Sequence, residues 1–243
     1  MRYSAGGLLA VLGLLLVLAA PARAEEARFA RLRVNMVKDQ IARPPDYRTP
    51  VRDPRVLRAM RIVPRHLFVP PSDRDRAYGD YPIPIGYGQT ISQPYIVALM
   101  TEMLEVRPEH RVLEVGTGSG YQAAVLSGLV REVFTVEIVE ALGTRAEKRL
   151  DQLGYDNVRV RLADGYFGWK EHAPFDRIVV TCAATLVPPP LVRQLRPGGR
   201  MCIPVGGQYA VQYLTLVEKA PDGRVTMEKK LPVRFVPLTR SDR

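Results

Sequence analysis

The sequence is poor in the side chains that build metal and redox sites. Its 243 residues include 2 Cys and 3 His, too few for a disulfide-stapled scaffold or a Cys-rich metal module. Neither CxxC nor HExxH spacing occurs, so a metal site has no support. A GxSxG nucleophile elbow is missing too, because Thr117 stands where the first glycine before Ser119 would be needed. His66, His110 and His172 lie in loop or turn contexts without a Ser or Cys beside them, and read as surface or packing residues rather than as bases. No apolar run reaches the ~20 residues that cross a bilayer. With 47% hydrophobic and 25% charged residues, the chain has ordinary globular proportions, which excludes a collagen-like, low-complexity or wholly disordered protein. Cys182 and Cys202 lie in or just beyond apolar strands and are expected as free buried thiols, although an oxidising compartment would allow them to pair.

What is present begins with a targeting signal. Arg2 precedes an apolar stretch from Leu8 to Ala20, and Ala22-Arg23-Ala24 offers small residues at the two positions a signal peptidase inspects. Residues 1–24 are therefore expected to be a secretory signal peptide and the protein to be exported, to the periplasm. The competing readings are an uncleaved anchor, or a start at Met36 and a cytoplasmic protein. Removal of the signal takes away Arg2 and Arg23 and no acid, so the net charge falls only from +10 to +8. Much of that charge runs from Arg28 to Arg65, interleaved with Asp39, Asp46 and Asp53. No dense basic run or aromatic–basic alternation marks a nucleic-acid groove.

Helical spacing covers Glu25 to Ile41, stopped by Pro44-Pro45. A second short helix is expected from Pro54 to Met60, with Asp53 as its N-cap. Pro64 to Gly88, rich in Pro, Tyr, Gly and Asp, reads as an ordered loop. Thr90 to Leu104 reads as a helix with Pro94 in its first turn. From Arg111 the pattern changes. Val112–Val115, Glu132–Val136, Val158–Leu162, Arg177–Thr181 and Arg200–Val205 are short apolar or β-branched runs, with helices over Tyr121–Leu129 and Glu140–Leu153 between the first three. That alternation implies right-handed βαβ units and a parallel sheet covered on both faces. Tyr209–Glu218 and Val225–Phe235, joined at Pro221–Gly223, predict an antiparallel hairpin at a sheet edge. The expected organisation is a signal at 1–24, a helical region at 25–88 and an α/β core at 89–243.

The most informative segment is Arg111-Val-Leu-Glu-Val-Gly-Thr-Gly-Ser-Gly-Tyr121. A strand enters Gly116, Gly118 and Gly120 and a helix follows at once, so backbone can approach a ligand at the helix N-terminus. The spacing is GxGxG, not the GxGxxG that suits a dinucleotide's pyrophosphate. Glu114, just before the loop, would repel a diphosphate and suits a ligand bearing an ammonium or sulfonium. Glu137 lies 17 residues beyond Gly120 at the next strand end, close to the spacing of a ribose-binding acid. Asp164-Gly165 follows the third strand, placed to bracket an adenine edge. Acids at three successive strand ends point to a cationic adenosine compound: S-adenosylmethionine first, NAD second.

Gly88-Gln-Thr-Ile-Ser-Gln-Pro94, taken with Leu113-Glu-Val-Gly-Thr-Gly-Ser-Gly-Tyr-Gln122, resembles the protein-L-isoaspartate O-methyltransferase family. The resemblance runs from about Asp39 to the end and includes Val63-Pro-Arg-His-Leu-Phe-Val69, Tyr81-Pro-Ile-Pro-Ile85, Ala163-Asp-Gly165, Pro204-Val-Gly206 and Arg234-Phe-Val-Pro-Leu238. It implies a Rossmann-like class I methyltransferase fold: a mostly parallel seven-stranded sheet with helices on both faces and an N-terminal helical addition. It implies methyl transfer from S-adenosylmethionine to the α-carboxylate of L-isoaspartyl residues in damaged proteins, whose ester then closes to a succinimide. Ser92 is the active-site residue by this matching, with Thr90, Ile91 and Gln93 flanking the pocket. Glu114, Gly116, Gly118, Gly120, Glu137, Asp164 and Gly165 are the cofactor residues, and Thr239 closes over the site. The expected partners are isoaspartyl proteins and peptides, for a monomer with no metal, no nucleic acid and no stable membrane association once the signal is cut. The alternatives are a class I methyltransferase acting on a small molecule or nucleic acid, or an NAD-binding oxidoreductase. The second lacks GxGxxG, and a base-flipping enzyme lacks its Asn-Pro-Pro-aromatic run. The signal peptide is the departure: members usually lack one, and the cosubstrate is made in the cytoplasm.

Overall fold

A computed structural model of the chain describes residues 23–207 and 209–241. The signal expected over 1–24 falls almost wholly outside them. No helix among the described residues is long and apolar enough to cross a membrane.

Residues 23–36 form helix α1, continued by a π-turn, Val37–Ile41. Helix α2, Pro54–Ile62, starts as the sequence requires, with the Asp53 side chain accepting from the Arg55 amide and Pro54 at a position needing no N–H. Strands β1 (Ile83–Gly86) and β2 (Gln89–Ile91) form a small antiparallel hairpin. Helix α3, Pro94–Met103, follows. Then come β3 (Arg111–Val115), α4 (Tyr121–Ser127), β4 (Glu132–Glu137), α5 (Glu140–Gln152), β5 (Val158–Leu162), β6 (Phe175–Val180), α6 (Pro189–Gln194), β7 (Leu195–Val205), β8 (Gln212–Lys219) and β9 (Val225–Val233).

Two expectations change here. The stretch before Gly88 is not all loop, and the helix expected from Thr90 begins only at Pro94. Both corrections have one cause. Tyr87 and Gly88 take positive φ, +54° and +70°, as a two-residue hairpin turn requires. That returns Thr90 and Ile91 as strand, where β-branched residues sit well. Pro94 then disfavours helical backbone in the residue before it.

The large sheet has the order β5-β4-β3-β6-β7-β8-β9. Strands β3 to β7 are mutually parallel, and β8 and β9 add antiparallel at the edge. The expected edge hairpin is therefore present. The result is the expected Rossmann-like, mostly parallel seven-stranded sheet. Two apolar clusters cover its faces, one with α1 to α5 and one with α6. Successive strands run outward in opposite directions from the β3–β6 pair, so the crevice at the carboxyl ends of these two strands is the switch point where such sheets bind ligands.

Candidate active site

Strand β3 alternates its faces. Val112 belongs to one apolar cluster and Leu113 and Val115 to the other, which puts Glu114 on the side of Val112. Glu114 is fully buried, and neither carboxylate oxygen has a hydrogen-bond partner. The hydroxyl of Thr135, its neighbour in register on β4, is paired with the Thr117 hydroxyl at 2.7 Å. Burial pushes the Glu114 carboxyl up to about 8; Thr135 opposes the shift and the charge of Glu137 adds to it. A buried carboxyl without a partner is expensive unless something arrives to complete it.

The turn after β3 is made by close approach. A Cβ on Gly116 would lie 2.5 Å from Thr181 Oγ1, and that hydroxyl donates to the Gly116 carbonyl at 2.6 Å. Thr181, just after β6, lines a cleft beside the glycine loop, the recess beside Glu114 and an outer groove alike. Sequence reasoning gave it no role; its place at a strand end beside the glycine loop was the available signal. Glu137 accepts from the Gly118 amide at 2.7 Å through one oxygen, and from Ile138 and Val139 amides through the other. It thereby ties the glycine loop to the β4–α5 turn. On the far wall, a Cβ on Gly165 would strike Val115 at 2.5 Å.

Thr90, Gly116, Gly118, Glu137 and Gly165 line one cleft. Ile91, Ser92 and Glu114 meet in a recess opening beside it, together with Gln122, whose carbonyl oxygen is also buried without a partner. The two motif runs, remote in sequence, thus share one recess. Gln93 and Ser92 also face an outer groove of about 1020 Å³. Helix α3 is capped at Gln93 without a side-chain bond, so the Ser92 hydroxyl does not serve as its cap. Gly120 stands apart from the cleft lining and lets α4 pack against Leu150. Asp164 is not among the cleft-lining residues either: one oxygen accepts from the Tyr166 amide, and the other holds Arg240 at 2.9 Å and Ser241. Burial would raise its pKa, but the Arg240 and amide hydrogen bonds lower it overall.

The chain's end closes the cleft. Val236 and Leu238 pair with the Ala183 main chain, each at 2.8 Å, and Val236, Pro237, Leu238 and Thr239 form its outer wall. The remaining free volume is about 50 Å³, room for a few water-sized groups. Cys182 and Cys202 are free and buried, with thiols pushed up by burial. His66 and His110 are buried and none of the three histidines lines the cleft, recess or groove. No cluster of three or more potential metal ligands occurs among the described residues.

The family model for protein-L-isoaspartate(D-aspartate) O-methyltransferase matches residues 40–243. The chain belongs to this family. It is 63% identical over 190 residues to protein-L-isoaspartate O-methyltransferase 2 of Polaromonas sp., covering 78% of this chain and 90% of that one. To the protein of the same name in Syntrophobacter fumaroxidans it is 55% identical, over 98% of both chains. Among solved structures, a Plasmodium falciparum protein described as a β-aspartate methyltransferase, with S-adenosyl-L-homocysteine bound, superposes with a TM-score of 0.73 at 24% identity, over 86% of this chain and 99% of that one. As a protein-L-isoaspartate O-methyltransferase, this chain uses S-adenosylmethionine as its methyl source. The orphaned buried carboxylate of Glu114 and the side-chain-free walls at Gly116 and Gly165 fit that cationic nucleoside.

Proposed function

We propose that this protein repairs exported proteins, methylating the α-carboxylate of their L-isoaspartyl residues in a site where Ser92 orients the acceptor. The observation that carries the reading is the shared recess. A fully buried, unpartnered Glu114 and Ser92 flank one space beside the outer groove of about 1020 Å³, which Ser92 also lines.

The roles follow from chemistry. Bound S-adenosylmethionine supplies an electrophilic methyl group on a sulfonium. Glu114 offers negative charge to the cationic end, Glu137 a carboxylate for the ribose diol, and Gly116, Gly118 and Gly165 the space for backbone contact, with Thr90, Ile91 and Gln93 shaping the junction. The substrate carboxylate, with a pKa near ~4, is ionised at pH 7, so no general base is needed. The site's work is alignment and exclusion of water. Ser92 donates a hydrogen bond that holds the carboxylate, leaving its other oxygen free to accept the methyl group. The Val236–Thr239 wall keeps water out. The ester formed closes on the following amide nitrogen to a succinimide, releasing methanol, and hydrolysis returns part of it as normal aspartate.

The groove suits an extended polypeptide. Its floor includes Ile96, Leu99 and Met103, and its rim Arg48, Lys230 and Arg234. One wall contains the end of edge strand β9, where a peptide backbone can add as a further strand.

Incubation with labelled S-adenosylmethionine and paired Asp and isoAsp peptides tests the activity: base-labile label is expected in the isoAsp peptide alone, and equal label in both rejects it. Fractionation and sequencing of the mature N-terminus test export. Glu25 as the first residue supports it; Met36 refutes it.

A further inference from the structure

Among the described residues Arg65 is the largest side chain sealed completely inside the protein, and it forms no direct ion pair: the acid that acts on it, Asp80, is bonded to Arg48 instead. Its Nε donates to the Ala77 carbonyl at 2.7 Å and its Nη2 to the Ser92 carbonyl at 2.8 Å. Nη1 has no partner. Burial lowers its pKa to about 10, so it remains a cation at pH 7. The face of Tyr121 lies 4.9 Å from the guanidinium carbon, a partial compensation. A buried unpaired charge is the costliest way to fill such a volume, and an apolar side chain would pack there more cheaply. Packing alone does not account for it.

Its position does. Ser92 lies between the end of β2 and the cap of α3. Pro94 has no N–H to give and Gln93 caps without a side-chain bond; the first free amide, that of Tyr95, reaches Asp80 at a long 3.3 Å. The Ser92 carbonyl is fixed from outside, by Arg65. The same guanidinium rests on Tyr121, the first residue of α4 after the glycine loop. Arg65 is therefore a physical link between the two segments that form the recess, acting at the Ser92 end, while Gln122 Nε2 donates to Thr101 Oγ1 at 2.9 Å further along α3.

We infer that Arg65 is a positioning residue for methyl transfer: its rigid fork locks the Ser92 main chain against the glycine-loop helix and so sets where the Ser92 hydroxyl stands relative to Glu114. The inference rests on the Ser92 assignment above. A planar guanidinium reaches two carbonyls at a fixed angle, whereas a lysine ammonium keeps the charge but not the fork. Small displacements of an aligning group cost rate steeply.

A double-mutant cycle tests it, with kcat and KM on an isoaspartyl peptide, S-adenosylhomocysteine affinity and melting measured for each protein. Arg65→Lys is expected to lower kcat about 30-fold, with KM and cofactor-product affinity within about threefold of wild type. In a Ser92→Ala background the same change is expected to add less than about threefold, because the group being positioned is gone. Near-wild-type kcat for Arg65→Lys, or an undiminished effect in the Ser92→Ala background, overturns the inference and leaves the Ser92 assignment standing. A wild-type rate for Ser92→Ala alone overturns both. Should Arg65→Lys fail to fold, Arg65→Gln, which removes the buried charge, takes its place in the cycle: a loss of kcat that vanishes in the Ser92→Ala background supports the inference, and one that persists there overturns it.

Discussion

Arg240 holds Asp164 across 76 residues of sequence: its Nε lies 2.9 Å from Oδ2, and its guanidinium carbon stacks 3.7 Å over the ring of Tyr166. This clasp fastens the segment that walls the cofactor cleft. The segment lines that cleft, so loosening the clasp is expected to ease product exit. Arg240→Ala is expected to raise the S-adenosylhomocysteine dissociation rate about tenfold, with a lower melting temperature as well, because the Asp164 side chain, only 6% exposed, loses its cationic partner. Stopped-flow displacement reads the rate; an unchanged rate sinks the clasp.

Ser92→Ala removes the hydroxyl and no capping bond, since α3 is capped at Gln93. The expected result is a fall in kcat/KM for isoaspartyl peptide of about a hundredfold or more, the scale of losing one oriented donor at a reacting group. S-adenosylhomocysteine affinity by calorimetry should stay within about threefold. A variant with wild-type turnover removes Ser92 from the site.

If Glu114 meets the cationic end of the cosubstrate as proposed, binding is expected to be proton-linked. With its pKa raised to about 8 by burial, the unliganded carboxyl is mostly protonated at pH 7, while a cationic ligand favours its ionised form. Affinity should therefore rise from pH 6 to 8, approaching tenfold per unit, and level off above. Binding enthalpies in two buffers of different ionisation heat should reveal the released proton at pH 7. For folding the sign is opposite. The raised pKa makes stability fall as pH climbs through about 8, so Glu114→Gln should melt above wild type at pH 9 while binding cosubstrate poorly. Affinity flat with pH refutes the linkage.

The N-terminal helix is held by a titratable contact. The His66 ring stacks on Phe29 of α1 at 4.0 Å and meets the Tyr78 hydroxyl at 2.7 Å. Burial lowers its pKa; Glu26 opposes the shift, while Arg33 and Arg74 reinforce it. A histidine with a depressed folded pKa binds fewer protons folded than unfolded, so stability drops as pH falls below about 6.5. Melting from pH 7.5 to 5 should show this drop, smaller in His66→Gln. Equal slopes in both proteins exclude His66 as the source.

Much of the core was legible because parallel strands buried on both faces are continuous apolar runs. Val112–Val115 falls within a residue of β3, and Arg177–Thr181 within two residues of β6. The β1–β2 hairpin could not: it is short, contains Pro84, and depends on Tyr87 adopting positive φ, which tyrosine rarely signals. At the site, the glycines and Glu114 were readable as types in a pattern, but burial without a partner is a property of the folded surroundings alone. Asp164 shows the limit of strand-end reasoning. It is an acid in the right place for an adenine, yet the chain's own Arg240, invisible to local spacing, occupies its carboxylate. Arg65 lies inside a motif without standing out from it, since nothing in Val-Pro-Arg-His tells a buried arginine from an exposed one.

The outermost strand has a consequence for the company this enzyme keeps. Damaged proteins are often partly unfolded, and an open sheet edge invites such chains to join it. Most of β9 is exposed and carries Glu228, Lys229 and Lys230, with Pro232 interrupting its row of amide donors. Charges and a proline discourage lasting edge-to-edge pairing, while the groove wall begins at Lys230. On the proposed reading of the groove, this edge would take up a short segment transiently while resisting becoming a seed for aggregation of the proteins the enzyme handles.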